Sequence, residues 1–130
     1  MPELELNPDI VCLIIARAHE FHAQEQVMIP EEPTNPTQDW ALEVLADHAG
    51  DPTYLELKTI IEELEPDQQV TLVALMWMGR GDYDASEWDT ALEEAGDSWT
   101  PRAADYLIAT PLVADYLEEG LSELGYSCEG

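Results

Sequence analysis

Pro66-Asp67-Gln68-Gln69-Val70-Thr71-Leu72-Val73-Ala74-Leu75-Met76-Trp77-Met78-Gly79 reads as a helix from both its ends and its middle. Proline fits the first helical position, where the missing N–H is no loss, and it pushes the preceding Glu65 away from the α region. Gly79, just past the apolar stretch, is placed to stop the helix with a positive φ. Between these ends Val70, Leu72, Val73, Leu75, Met76 and Trp77 leave almost no polar face. A helix over 66–78 with that pattern belongs in the middle of a bundle. It needs other helices around it.

The same start signal recurs on both sides of this segment, at Asn7-Pro8, Asp51-Pro52, Thr100-Pro101 and Thr110-Pro111. Two further signals add to it: Asn35-Pro36 or Thr37, opening one more helix, and the acid-x-x-Glu pattern of Asp84-Ala85-Ser86-Glu87. Helices are predicted from Pro8 to about Val27, Thr37 to Ala49, Pro52 to Leu64, Pro66 to Met78, Ala85 to Ala95, Pro101 to Ala109, and Pro111 to Leu124. Gly50, Gly79, Gly96 and Gly125 are read as their stops. Strand patterning is absent beyond the first six residues. The expected fold is therefore all-α: a single compact domain, 1–130, of about seven short helices around two central apolar ones. Those two are the helix carrying Ile10, Val11, Cys12, Leu13, Ile14 and Ile15 and the 66–78 helix, and they are expected to touch. Residues 1–7 read as an extended segment and 28–36 as a proline-rich connector. The last helix is two-faced: Val113, Tyr116, Leu117, Leu121 and Leu124 inward, Asp115, Glu118, Glu119, Ser122 and Glu123 outward.

The 130 residues are enough to bury a core without staples. Against 29 Asp plus Glu stand only 4 Lys plus Arg, a formal net charge of −25. Such a surface repels phosphate, which excludes direct nucleic-acid binding through a basic footprint and docking on an anionic membrane. The start of the chain lacks a secretory pattern, and neither apolar run, Ile10 to Ala16 or Leu72 to Met78, approaches membrane-spanning length. A cytoplasmic setting follows as the expectation, and with it Cys12 and Cys128 as two unpaired reduced thiols.

No motif names a reaction. Asp82, Asp84, Ser86 and Glu93 fall at positions 1, 3, 5 and 12 of a calcium loop, but Glu87 stands where the turn glycine belongs. The bland reading is a turn with Asp84 as N-cap. His19-Glu20-Phe21-His22 misses metalloprotease spacing by one residue. His19, His22 and Glu25 share a face, and His48 is the one other histidine. Solvated or locally bonded histidines are favoured over a metal site. No serine has a nucleophile elbow, Cys12 is too apolar a setting for a thiolate, and paired carboxylates are uninformative among so many acids. No catalytic, cofactor-binding or metal-ligating residue is assigned. Arg80-Gly81-Asp82 reads as a helix-to-helix turn with a local ion pair. Tyr83 and Trp88 flank that turn, and exposed aromatics beside an arginine make a plausible hot spot. Arg80, Asp82, Tyr83 and Trp88 are thus the candidate partner-contact residues.

The stretches Asp67 to Val70, Trp77 to Tyr83 with Glu87-Trp88, Ala109 to Leu112, and Asp115 to Leu121 with Gly125 to Cys128 resemble a small bacterial family, domain of unknown function 3775. The resemblance implies a bacterial, cytoplasmic setting and no chemistry. The expected function is a small acidic, non-catalytic interaction or regulatory protein whose partner is a basic or aromatic-recognising protein, or one with an exposed apolar surface. Two alternatives stand: a nucleic-acid-mimicking inhibitor of a DNA- or RNA-binding protein, and a small enzyme with an unrecognised pocket. Mimicry is electrostatically possible, although the acids are spread over at least six predicted helices rather than one stripe.

Overall fold

In the computed structural model the described residues are 6–22, 50–110 and 112–128. They form six α-helices: α1 (Pro8–His22), α2 (Pro52–Glu62), α3 (Pro66–Arg80), α4 (Trp88–Ser98), α5 (Ala103–Ala109) and α6 (Val113–Glu123). A short 3-10 turn, Ala85–Glu87, leads into α4, and there is no strand among the described residues. The all-α reading holds. The predicted 37–49 helix, the connector 28–36, and the end of the first helix beyond His22 lie outside the described residues, as do Glu25, His48 and residues 1–5.

Helix starts follow the local chemistry. Asp9 N–H donates to Asn7 Oδ1 at 2.9 Å, and Thr53 N–H donates to Asp51 Oδ1 at 2.8 Å. Glu65 N–H donates to Gln68 Oε1 at 2.9 Å. Each satisfies an amide that the helix itself leaves open. The starts at Pro101 and Pro111 come two residues late, because Arg102 (φ −96, ψ 14) and Leu112 (φ 63, ψ 18) are not helical. Leu112 sits in the left-handed region, which costs a non-glycine residue about 1 kcal/mol.

α3 is buried at every position from Thr71 to Met78. It packs chiefly on α6 and α4. α1, expected to touch α3, packs chiefly against α6 and α2. The reason is that α1 is less apolar all round than its sequence suggests. Val11, Ile14, Ile15, Ala18 and Phe21 are buried, whereas Leu13 is 41% exposed. α5 is enclosed along its whole length, buried from Ala103 through Ala109. α6 keeps the inward and outward faces expected of it.

Two of the supposed stop glycines have other uses. α3 continues past Gly79 to Arg80 and is ended by Gly81 (φ 99), whose N–H bonds Met78 O while Asp82 N–H reaches back to Trp77 O. Gly79 is a contact point instead: a Cβ there would overlap the Tyr116 carbonyl of α6. Gly120 reciprocates, since a Cβ on it would overlap the Leu75 carbonyl of α3. The α3–α6 crossing is therefore backbone on backbone. Gly96 lies inside α4, Gly125 (φ 91) ends its helix as predicted, and the helix that Gly50 was expected to stop lies outside the described residues.

The cysteines are also a correction. Cys12 of α1 and Cys128, beyond α6, form a disulfide with a Cα–Cα separation of 5.5 Å. They are 116 residues apart in sequence, and only the folding of α6 against α1 brings them together.

Candidate interaction site at the α3–α4 turn

The turn between α3 and α4 is built by helix ends. Once Gly81 has closed α3, the chain runs through Asp82 and Tyr83 to Asp84, whose carboxylate accepts from Ser86 N–H at 3.0 Å. Glu87 Oε1 accepts from Asp84 N–H at 3.1 Å, completing a capping box. The positions of the calcium-loop pattern are thus wound into a helix start, and Asp84 serves as its cap.

Arg80 folds back on this turn. Its Nε and Nη2 donate to Asp82 Oδ2 at 2.9 and 2.7 Å, the local ion pair expected from the sequence. Arg80 is mostly covered, so its charge faces Asp82 and the Tyr106 hydroxyl region rather than solvent. Below it, Trp77 Nε1–H donates to the Tyr106 hydroxyl at 2.8 Å, within the core. Burial raises the Tyr106 pKa, opposed by the Trp77 and Arg80 bonds.

Tyr83 stacks on Trp77, with ring centroids 6.3 Å apart and planes 29° from parallel. Burial raises its phenol pKa, and the carboxylates of Glu94, Asp82 and Glu87 push in the same direction. A half-buried aromatic face thus lies in a field of three acids. Trp88 takes no part in the surface. It is 3% exposed, which corrects the expectation of an exposed indole there. As the first residue of α4 it points into the core, following the helical period of Ala91 and Ala95.

A second polar group was not singled out from the sequence. Tyr54 OH donates to Asp105 Oδ1 at 2.6 Å, and Lys58 Nζ lies 3.4 Å from both the Tyr54 hydroxyl and Asp105 Oδ2. Nζ is also 5.6 Å from the Tyr54 ring centroid. Asp105 is 4% exposed and α5 carries it, so a buried acidic side chain is held inside the bundle beside the chain's one lysine. Burial is the largest influence and works against the Lys58 charge, but Asp105 and the Tyr54 hydroxyl together outweigh it and the net shift is upward. Burial, then Asp105, push the Tyr54 hydroxyl up to about 12. The legible signals were Tyr54 and Lys58 four residues apart on one helix, and a lone acid in Ala103-Ala104-Asp105-Tyr106-Leu107-Ile108.

That shift gives a pH dependence. Unfolded tyrosine ionises near 10 and Tyr54 only near 12, so its stabilisation is complete below pH 10 and is lost as pH rises from 10 to 12. Alkaline titration followed by phenolate absorbance should show a class of late-ionising tyrosines, with unfolding in that window. Tyr54→Phe should remove the part of the dependence that belongs to this residue.

His19 Nε2 lies 3.2 Å from Asp115 Oδ1, a contact between α1 and α6 that joins residues 96 apart in sequence. No cluster of metal-ligating side chains occurs among the described residues. A hollow of about 10 Å³ between α1, α2, α3, α5 and α6 is lined by Ile14, Leu57, Leu72, Leu107 and Leu117 among others, all apolar. With room for about one water and nothing to bond it, this hollow cannot orient a substrate. No described helix is long and apolar enough to cross a membrane.

These features define an all-α domain with an acid-rimmed aromatic turn. Residues 54–126 match the family described as protein of unknown function (DUF3775), and the chain belongs to that family. The match takes in the α3–α4 turn, Tyr54, Lys58 and Asp105, and leaves out both cysteines. No curated protein and no solved structure matches the chain.

Proposed function

We propose that the protein is a small acidic, non-catalytic interaction protein of the bacterial cytoplasm, and that its partner presents an arginine or lysine side chain to the α3–α4 turn. The observation that carries this reading is the Tyr83 ring, stacked on Trp77 and surrounded by Glu94, Asp82 and Glu87. An aromatic face attracts a cation through its quadrupole, and carboxylates beside it add Coulomb attraction and a faster encounter. Arg80 supports the reading from beneath. Its charge is turned onto Asp82, leaving the outward side of the turn to acids and a phenol ring. Other cationic residues are also turned onto acids of the chain: Arg17 pairs with Glu20 and Glu56, and Lys58 with Asp105. The acidity is thereby kept for the outside.

Titration with an arginine-rich peptide, followed by tryptophan fluorescence, tests this. Binding should weaken about tenfold in Tyr83→Ala, survive in Tyr83→Phe, and fall with added salt. Equal affinity for the wild type and Tyr83→Ala would sink the assignment of the site. Displacement of DNA from a basic binder, undiminished by Tyr83→Ala, would favour mimicry instead.

A further inference from the structure

We infer that the Cys12–Cys128 disulfide is a reversible redox latch, which fastens the segment after α6 to α1 and is opened by a dithiol reductant. The inference shares the cytoplasmic setting of the reading above and is otherwise independent of it. Three observations lead to it. First, both cysteines are only partly buried and sit at the margin of the core, so a sulfur is open to attack by an incoming thiolate. Second, the bundle does not need the bridge. The buried core runs continuously from Leu6 through α1, α2, α3, α4, α5 and α6 without either sulfur, and a chain of this length folds without staples. Third, the bridge controls a defined piece of chain. Backbone bonds follow α6 as far as Tyr126, whose N–H donates to Leu121 O at 2.9 Å, and beyond that the covalent link ties the chain to α1.

Opening is ordinary thiol–disulfide exchange. A thiolate of the reductant attacks one sulfur, forming a mixed disulfide and releasing the other cysteine as a thiolate, which takes up a proton. The second thiol of the reductant then displaces the first protein sulfur. The products are two protein thiols and the oxidised reductant, a transfer of two electrons and two protons. Once released, Tyr126 and Cys128 can leave the edge of the core against which they pack, uncovering that edge beside the exposed Leu13 of α1. Both cysteines lie outside the 54–126 family match.

The test is to equilibrate the intact protein in buffers of oxidised and reduced dithiothreitol, poised from fully oxidising to cytoplasm-like, then count free thiols by maleimide mass shift and measure hydrogen exchange. The bridge should be closed in the first buffer and open in the last. On opening, exchange at 124–126 should accelerate at least tenfold while α3 and α5 keep their protection. Cys128→Ser should show the open pattern in every buffer. Two free thiols under oxidising conditions, a bridge still closed in the cytoplasm-like buffer, or unchanged exchange at 124–126 after opening would each overturn the inference. Tyr83 lies on other elements, so peptide binding and latch opening succeed or fail separately.

Discussion

Gly120→Ala should lower the unfolding midpoint by about 10 °C, the largest effect expected of so small a change. An added methyl at position 120 overlaps the Leu75 carbonyl, which is backbone and has no alternative rotamer. To relieve the overlap α6 must move off α3, its most extensive neighbour, and loosen the packing on both sides. Overpacking of this kind costs about 3 kcal/mol, against roughly 1 kcal/mol gained from better helix propensity when the backbone can stay in place. For a chain of this length 3 kcal/mol corresponds to about 10 °C. Gly79→Ala should behave alike, because its methyl meets the Tyr116 carbonyl. Gly96→Ala is the control. A Cβ there meets only Val70 Cγ1, at 4.0 Å, so the propensity gain should stand and the midpoint should rise slightly. Calorimetry of the three variants checks the contrast, and equal effects at 96 and 120 would refute the close crossing.

Lys58→Ala should cost about 2–3 kcal/mol in urea unfolding, more than any other single cation removed from this acidic chain. It leaves Asp105, 4% exposed, with the Tyr54 hydroxyl but no positive charge. The full penalty for breaking a buried pair is larger, and it is reduced here because Lys58 is partly open to water. The corresponding test of cause is to remove the whole group. Tyr54→Phe, Lys58→Met and Asp105→Leu together leave no unpaired polar atom of the group, and should recover most of the loss. Arg17→Ala, which gives up more exposed pairs with Glu20 and Glu56, should change stability much less than Lys58→Ala. A triple variant as unstable as Lys58→Ala would show that packing, not charge, dominates there.

Much of the fold was legible from local rules. Asn7, Asp51 and Glu65 before proline mark three helix starts correctly, since capping is decided within four residues. Asp84 and Glu87 begin the next helical turn for the same reason. The alternation of α6 reports its buried face without any knowledge of what it faces. Of the candidate site, the Arg80–Asp82 pair and the place of Tyr83 beside it were readable, because the whole turn lies within a few residues. Trp88 was misjudged, since the direction of an aromatic at a helix start depends on how that helix docks.

The amino-acid order alone therefore determined which segments are helical, which faces are apolar, and that the outside is anionic. Each of these follows from hydrogen-bond caps, side-chain periodicity and charge count within a short span. Only tertiary structure decided that Gly79 and Gly120 serve a helix crossing, that Lys58 and Tyr54 meet Asp105, and that Cys12 meets Cys128. Those pairings join residues dozens of positions apart, and their partners are chosen by how the helices pack, a quantity that no local window of sequence contains.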